Sequence, residues 1–269
     1  MLGFIGAGKM AEALVGGLIA GGVFEPSQIA VSDVNPLRLE FMQERFKIGV
    51  FKDNGRLVEG ADAIVLAVKP KDVDEVLRGI AGKVGEERLL ISIAAGVPTP
   101  RLLAPFSHPP RLIRVMPNAC VFAGAGASVI YLTSRAKEED RELTLKIFGS
   151  VGRAFVVDDE HLLDAVTALS GSGPAYFFLI MEALSDAGVA QGLPRELARE
   201  LSLMTAYGSA KMALESKEHL AVLKDMITSP GGTTIAALEK MERAGLRGII
   251  MEAIDYATRR SEELGRKEG

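Results

Sequence analysis

Apolar residues recur along the chain in short unbroken runs, each closed by small or turn-forming residues and followed by a stretch of helical periodicity. Residues 2–5 form the first run, and Leu14, Leu18 and Ile19 mark the helical pattern behind it, which Gly21-Gly22 ends. Further runs at 29–32, 47–51, 63–68, 89–93 and 112–115 predict strands, and two more at 127–132 and 154–157 flank a charged helix expected over 137–148. Such runs suit parallel strands buried on both faces, with room between them for crossover helices. The expected architecture is therefore α/β, beginning with a Rossmann-like doubly wound domain. After Asp158-Asp159-Glu160 the period changes. Residues 161–264 contain no convincing strand and at least four helical patterns, broken at Gly171-Ser172-Gly173-Pro174, Gly192-Leu193-Pro194 and Ser229-Pro230-Gly231-Gly232. The expected domains are 1–158, α/β, and 159–269, all-α, ending in a charged helix end over 259–269 that frays.

Composition narrows the partners. A chain of 269 residues has room for two cores, and its net charge of −4 gives no reason to expect nucleic acid or an anionic membrane. One cysteine, Cys120, forbids an intramolecular disulfide and points to a reducing compartment, the cytoplasm. The N-terminus lacks a basic leader region, and no uncharged apolar run long enough for a membrane span is expected.

Candidate chemistry lies where runs end. Gly6-x-Gly8-x-x-Ala11 follows the first strand and opens a helix, which fits a dinucleotide fingerprint: Gly6 for the turn, Gly8 for approach of a pyrophosphate, Ala11 for helix–strand packing. A phosphate loop of the triphosphatase type is rejected, because Met10 stands where that motif needs a hydroxyl for magnesium and Gly3 falls inside the strand. Ser32-Asp33 closes the second run. Asp33 stands where a carboxylate meets the ribose 2′-hydroxyl of NAD, Arg38 is near enough for a 2′-phosphate, and Asp33 or Asn35 alternatively caps the next helix. Ala67-Val68-Lys69-Pro70, Ala95-Gly96 and Met116-Pro117-Asn118 end later strands on the same expected ligand edge. In the helical half, His161, His219 and Lys211 have no motif partner, and no spacing suits a metal. What remains are two clusters rich in hydroxyls and bare N–H groups, Ser170-Gly171-Ser172-Gly173-Pro174 and Ser229-Pro230-Gly231-Gly232-Thr233-Thr234. The second reads as a loop becoming a helix N-terminus, which suits an anion.

These pieces, with the stretch Asp164-Ala165-Val166-Thr167-Ala168-Leu169 ahead of the first cluster, give the chain a resemblance to the pyrroline-5-carboxylate reductases over essentially its whole length. The resemblance implies reduction of the cyclic imine 1-pyrroline-5-carboxylate to L-proline by a nicotinamide cofactor, NADPH first with NADH left open. It also implies that the helical domain interleaves with a second copy as a homodimer, assembly of dimers being left open. It places Gly6, Ala7, Gly8, Lys9, Met10, Asn54, Ala67, Val68, Lys69, Pro70, Ala95 and Gly96 around the cofactor, with Ser32, Asp33, Asn35, Arg38, Met116, Pro117 and Asn118 completing the expected set. Ser229, Gly231, Gly232 and Thr233 are expected at the substrate, and the resemblance puts the Thr234 hydroxyl at the ring nitrogen. Ala119-Cys120 departs from the family's usual Thr-Pro after the asparagine. Two rivals stand beside this reading. One is a hydroxyacid dehydrogenase of the 3-hydroxyisobutyrate type, whose lysine would fall at Phe177; the other is a non-enzymatic NADP sensor.

Overall fold

In a computed structural model, which describes residues 1–267, the chain divides into two compact units: Met1–Ser172 with the chain from Ala257 onward, and Gly173–Tyr256. The first unit holds β1 (Leu2–Ile5), β2 (Ile29–Ser32), β3 (Gly49–Phe51), β4 (Ala63–Leu66), β5 (Leu89–Ser92), β6 (Arg111–Pro117), β7 (Gly126–Leu132) and β8 (Gly152–Val157). They make one eight-stranded sheet in the order β3-β2-β1-β4-β5-β6-β7-β8. Strands β1 to β6 are parallel, β7 runs antiparallel to β6, and β8 is parallel to β7. The order reverses between β1 and β4, the switch point at which doubly wound sheets take ligands.

The pleat sends alternate residues to opposite layers. Leu2, Phe4, Val31, Val65, Ile91 and Ile113 pack under α1 (Lys9–Ala20), α2 (Pro36–Phe46) and, later in the chain, α6 (Glu138–Gly149). Ile5, Ile64, Leu66, Leu90 and Leu112 face α3 (Asn54–Gly60), α4 (Val73–Ile80) and α5 (Thr99–Leu103). Covered on both faces, β1, β2, β4 and β5 are buried at every position. This is why their sequences read as unbroken apolar runs.

Several boundaries differ from the sequence expectation. The third strand begins at Gly49 rather than Lys47, because Lys47 closes α2 in the left-handed conformation, φ 58°, and its N–H returns to the Gln43 carbonyl at 2.9 Å. The fourth run stops being strand at Leu66, since Lys69 already caps the 3-10 turn Pro70–Asp72. Strand β6 extends through Pro117, which the terminal pairing Pro117↔Ser128 accommodates at a strand end. By contacts the chain divides at Ser172 instead of Asp158, because α7 (Leu162–Val166) and the π turn Thr167–Gly171 pack with the sheet strands β7 and β6.

The second unit is helical: α8 (Gly173–Ala190), α9 (Arg195–Glu215), α10 (Leu220–Met226), α11 (Thr233–Arg243) and the start of α12 (Leu246–Lys267). Helices α8 and α9 pack closely, with the Ser202 hydroxyl donating to the Met181 carbonyl at 2.7 Å and Gly188 facing Ala198. The end of α12 is anchored in the first unit, where the buried Ser261 hydroxyl donates to Asp164 at 2.6 Å. The helix end expected over 259–269 is helical through Lys267, and Glu268 and Gly269 lie outside the described residues. One apolar stretch is longer than the sequence reading allowed, although Asp164, Glu182 and Asp186 interrupt it. The helical stretch Leu162–Ala190 is long and apolar enough, by length and composition, to cross a membrane, and 17% of its most apolar window is buried. Its exposed surface includes Phe177, Phe178, Leu179 and Leu184.

Candidate active site

The C-terminal ends of β1, β2, β4, β5 and β6 lie on one edge of the sheet, and most of the expected cofactor residues sit there. Gly6 turns the chain at φ +101°, and its N–H donates to the Ser32 carbonyl at 2.8 Å. A side chain there would be strained, and its Cβ would lie 2.7 Å from the Ala67 carbonyl oxygen. Gly8, the N-cap of α1, has ordinary dihedrals and nothing within 4 Å of where a Cβ would stand. The turn thus needs one glycine for its own shape and leaves open room above the other. No side chain caps α1, so its first-turn N–H groups have no side-chain acceptor at the cap, and an open helix start of this kind fits a pyrophosphate. Lys9 is exposed and pairs with Glu12, while Met10 packs onto the core.

The neighbouring strand ends are fixed by specific bonds. Buried Ser32 donates its hydroxyl to Asn54 Oδ1 at 2.7 Å, tying β2 to the first residue of α3. Asp33 accepts from the N–H groups of Ala7 and Asn35, at 2.6 and 2.8 Å. Asn35 caps α2 through the Leu37 N–H, and Arg38 donates from Nε to the Ala7 carbonyl at 2.8 Å. Val68 approaches Gly6, Lys69 and Pro70 open the 3-10 turn, and Ala95 precedes Gly96 in a turn with φ +72°. Met116 and Pro117 finish β6. Asn118 accepts from the N–H groups of Cys120 and Ala127 and donates to the Ser170 hydroxyl at 3.2 Å. The Cys120 N–H used here is one that the family's more usual proline would lack. Ser170 lies in the π turn, where the Ser172 N–H reaches back to the Thr167 carbonyl at 2.8 Å.

In the second unit, the loop from Ser229 becomes the start of α11, as its sequence suggests. Gly231 turns at φ +67°, the Gly232 N–H donates to the Ser229 carbonyl at 3.1 Å, and Gly232 is the N-cap. The Ser229 hydroxyl folds back over Gly232, so a Cβ on Gly232 would meet it at 2.3 Å. Gly232 brings no capping side chain, so the N–H groups that open α11 at Thr233 and Thr234 have no side-chain acceptor at the cap.

A buried arginine and its half-buried partner escaped the sequence reading. Arg114 on β6, 9% exposed, pairs with Glu160, which also accepts from the N–H and hydroxyl of Thr99. Burial acts to raise the Glu160 pKa, but the Thr99 and Arg114 hydrogen bonds outweigh it and hold the carboxyl below its ordinary range. The pair flanks a cavity of about 370 Å³ that also meets Gly96 and His161. Only the long-range partner marks Glu160, because its sequence setting is an acidic run. His219 caps α10 through the Ala221 N–H, and Lys211 lies near Glu215 at 3.9 Å. Among the described residues no cluster of histidine, cysteine or carboxylate groups suits a metal.

A doubly wound sheet with an open glycine cradle at its switch point is that of a dinucleotide-dependent oxidoreductase. Comparison with known proteins narrows the class. Residues 1–96 match the NADP oxidoreductase, coenzyme F420-dependent family, and residues 160–264 match the pyrroline-5-carboxylate reductase dimerisation family. The chain is 44% identical over 266 residues to the pyrroline-5-carboxylate reductase of Methanosarcina acetivorans, covering 99% of this chain and 98% of that one. It is 43% identical to the Arabidopsis thaliana reductase over 98% of this chain and 95% of the relative. The solved Coxiella burnetii reductase superposes with a TM-score of 0.92 at 37% identity, covering 98% and 97% of the two chains. The Plasmodium falciparum enzyme, solved with NADP bound, has a TM-score of 0.86 at 32% identity and the same coverage. The chain belongs to the pyrroline-5-carboxylate reductase family. The dimerisation match supports oligomerisation through residues 160–264, the region whose apolar helix surface is exposed in the single chain.

Proposed function

We propose that this chain reduces 1-pyrroline-5-carboxylate to L-proline, the last step of proline formation, with NADPH as the preferred hydride donor and NADH as its competitor. The observation that carries the reading is near-full-length likeness to reductases of that name at 43 and 44% identity. The open room over Gly8 and the uncapped start of α1 support a dinucleotide at the sheet edge. Bound there, the cofactor supplies the hydride that reduces the imine carbon.

The remaining work falls to this chain's own groups. The N–H groups opening α11, from Gly232 through Thr234, receive the substrate carboxylate, with Ser229 and Gly231 shaping the loop. The helix dipole contributes about 0.3–1 kcal/mol when exposed and more when enclosed. The Thr234 hydroxyl hydrogen-bonds the ring nitrogen. A protonated imine is already electrophilic, so orientation does much of what a strong acid would otherwise do. This accounts for an α11 start without histidine or carboxylate. The enzyme works as a homodimer through its C-terminal helices, in the cytoplasm, where Cys120 stays a free thiol.

The test follows NADPH oxidation by absorbance with 1-pyrroline-5-carboxylate, alongside proline detection. Proline formed in step with NADPH loss is expected. A chain that binds NADPH but never oxidises it under saturating substrate would be a sensor, and the proposal would fall. Steady-state kcat/KM with both cofactors checks the NADPH preference.

A further inference from the structure

Asp33 stands at the end of β2, where a carboxylate ordinarily reaches the adenosine ribose. Here the carboxylate is turned into the protein. Its Oδ2 accepts from the Ala7 N–H at 2.6 Å, inside the glycine turn, and its Oδ1 accepts from the Asn35 N–H at 2.8 Å. The other side of the same residue is held as well, since Arg38 Nε donates to the Ala7 carbonyl at 2.8 Å. Arg38 is itself fixed. Its Nη2 donates to Glu12 at 2.9 Å and its guanidinium lies 4.7 Å from the centre of the Phe41 ring. Glu12, with a side chain 12% exposed, is further held by Lys9 and Arg45. Ala7 is fully buried, so its polar groups depend on these partners in place of water.

The arrangement has a clear physical purpose. Gly6 at φ +101° and an uncapped helix start leave the turn many ways to relax, and the direction of its N–H groups decides whether they converge on a pyrophosphate. Two charged side chains from the β2–α2 corner grip the Ala7 residue from opposite sides and remove that freedom. Both dinucleotides share the pyrophosphate, so a device acting on the turn serves them equally.

We propose that Asp33 and Arg38 are positioning residues that clamp the glycine turn, with Glu12 anchoring Arg38, and that Asp33 does not discriminate NADH from NADPH through a ribose contact. The proposal rests on the dinucleotide reading of this edge, but its first test needs no dinucleotide.

Hydrogen exchange over residues 6–9 of the free protein reads the clamp directly. Asp33→Ala and Arg38→Ala should each speed exchange in that stretch by about tenfold or more, the loss expected for a charge-assisted bond to a buried N–H or carbonyl. Asp33→Asn, which keeps the size and one acceptor, covers the case in which the alanine variant fails to fold. Calorimetric titration with NADP⁺ and NAD⁺ then reads the function, the chain having no tryptophan to report binding. Asp33→Asn should weaken both, with their affinity ratio changing by less than about tenfold, or 1.4 kcal/mol. Unchanged exchange in the Asp33 variants, or selective loss of NAD⁺ with NADP⁺ binding kept or improved, would overturn the proposal. Unchanged exchange in Arg38→Ala would remove Arg38 from it. Should the unaltered chain bind neither dinucleotide, the reductase reading fails and exchange alone decides the clamp.

Discussion

Arg114 on β6 and Glu160 ahead of α7 form a half-buried ion pair that also secures the start of α5, because the same Glu160 oxygen accepts from the Thr99 N–H and hydroxyl at 2.8 and 2.7 Å. Burial works against the charged Glu160, but the Thr99 and Arg114 bonds prevail, so its folded pKa lies below its unfolded value. A depressed carboxyl stabilises the fold fully above the unfolded pKa, about 4.3, and loses that contribution as pH falls through the folded pKa. Glu160→Gln should therefore cost about 1–3 kcal/mol at neutral pH and flatten the acid limb of stability. Urea melts across pH check this. An acid limb as steep as in the unaltered chain would separate the pair from acid stability.

The two glycines of the β1–α1 turn should fail in different ways. Gly6→Ala forces φ +101° on an L-residue and drives a Cβ to 2.7 Å from the Ala67 carbonyl oxygen, so the fold itself should lose about 1–3 kcal/mol or more. Gly8→Ala meets nothing within 4 Å and should melt as the unaltered chain does. Its methyl would instead occupy the open room proposed for the pyrophosphate. Overpacking of about 1–3 kcal/mol predicts roughly ten- to a hundredfold weaker NADPH binding. Melting curves and calorimetry separate the two effects, and full NADPH affinity in Gly8→Ala would remove the cradle from this turn.

What the sequence makes legible is whatever its neighbours alone determine. Gly6 and Gly8 follow a strand and open a helix, so their roles can be read within a few residues. The same holds for Gly232 ahead of α11. Long-range partners are silent. Nothing near Glu160 announces Arg114, separated by 46 positions, and nothing near Asp164 announces Ser261, separated by 97. Packing of α7 and the π turn on β7 and β6 explains why the contact division of the chain does not follow the change of period at Asp158. Asp33 is ambiguous in sequence for a related reason: strand-end position allows both a ribose ligand and a turn clamp, and only the direction of its carboxylate separates them. The apolar surface of α8 is legible in composition, but a single chain's pattern does not say whether core, partner or bilayer covers it.

Met116 and Gly171 should be energetically coupled. The Met116 terminal methyl lies 2.5 Å from where a Gly171 Cβ would stand, bringing the end of β6 against the π turn beside Ser170. Methionine is flexible, so Gly171→Ala should displace that side chain without unfolding the chain. Met116→Ala vacates the same space and should relieve the clash. The double-mutant cycle is expected to give a favourable interaction of about 0.5–3 kcal/mol, read from denaturant melts. Additive effects within about 0.5 kcal/mol would make the approach energetically irrelevant.

Thr234 carries the sharpest test of the proposed chemistry. It lies in the first turn of α11, where valine matches its shape and its branched Cβ, so Thr234→Val should leave the helix and the melting temperature nearly unchanged. In the proposed reading the carboxylate meets backbone N–H groups that valine retains, so KM should move little. Turnover should fall by roughly 10- to 1,000-fold, from the loss of one neutral hydrogen bond at the low end to that of an oxyanion-type donor at the high end. Thr234→Ser keeps the hydroxyl and should stay within about tenfold of the unaltered enzyme. A threonine hydroxyl does not titrate in the working range, so the pH profile of Thr234→Val should keep its shape while its height drops. A folded Thr234→Val enzyme with unchanged kcat would place the proton and orientation chemistry elsewhere, and a profile that gained or lost a limb would mean that the hydroxyl had been tuning an ionisable group instead of holding the ring nitrogen.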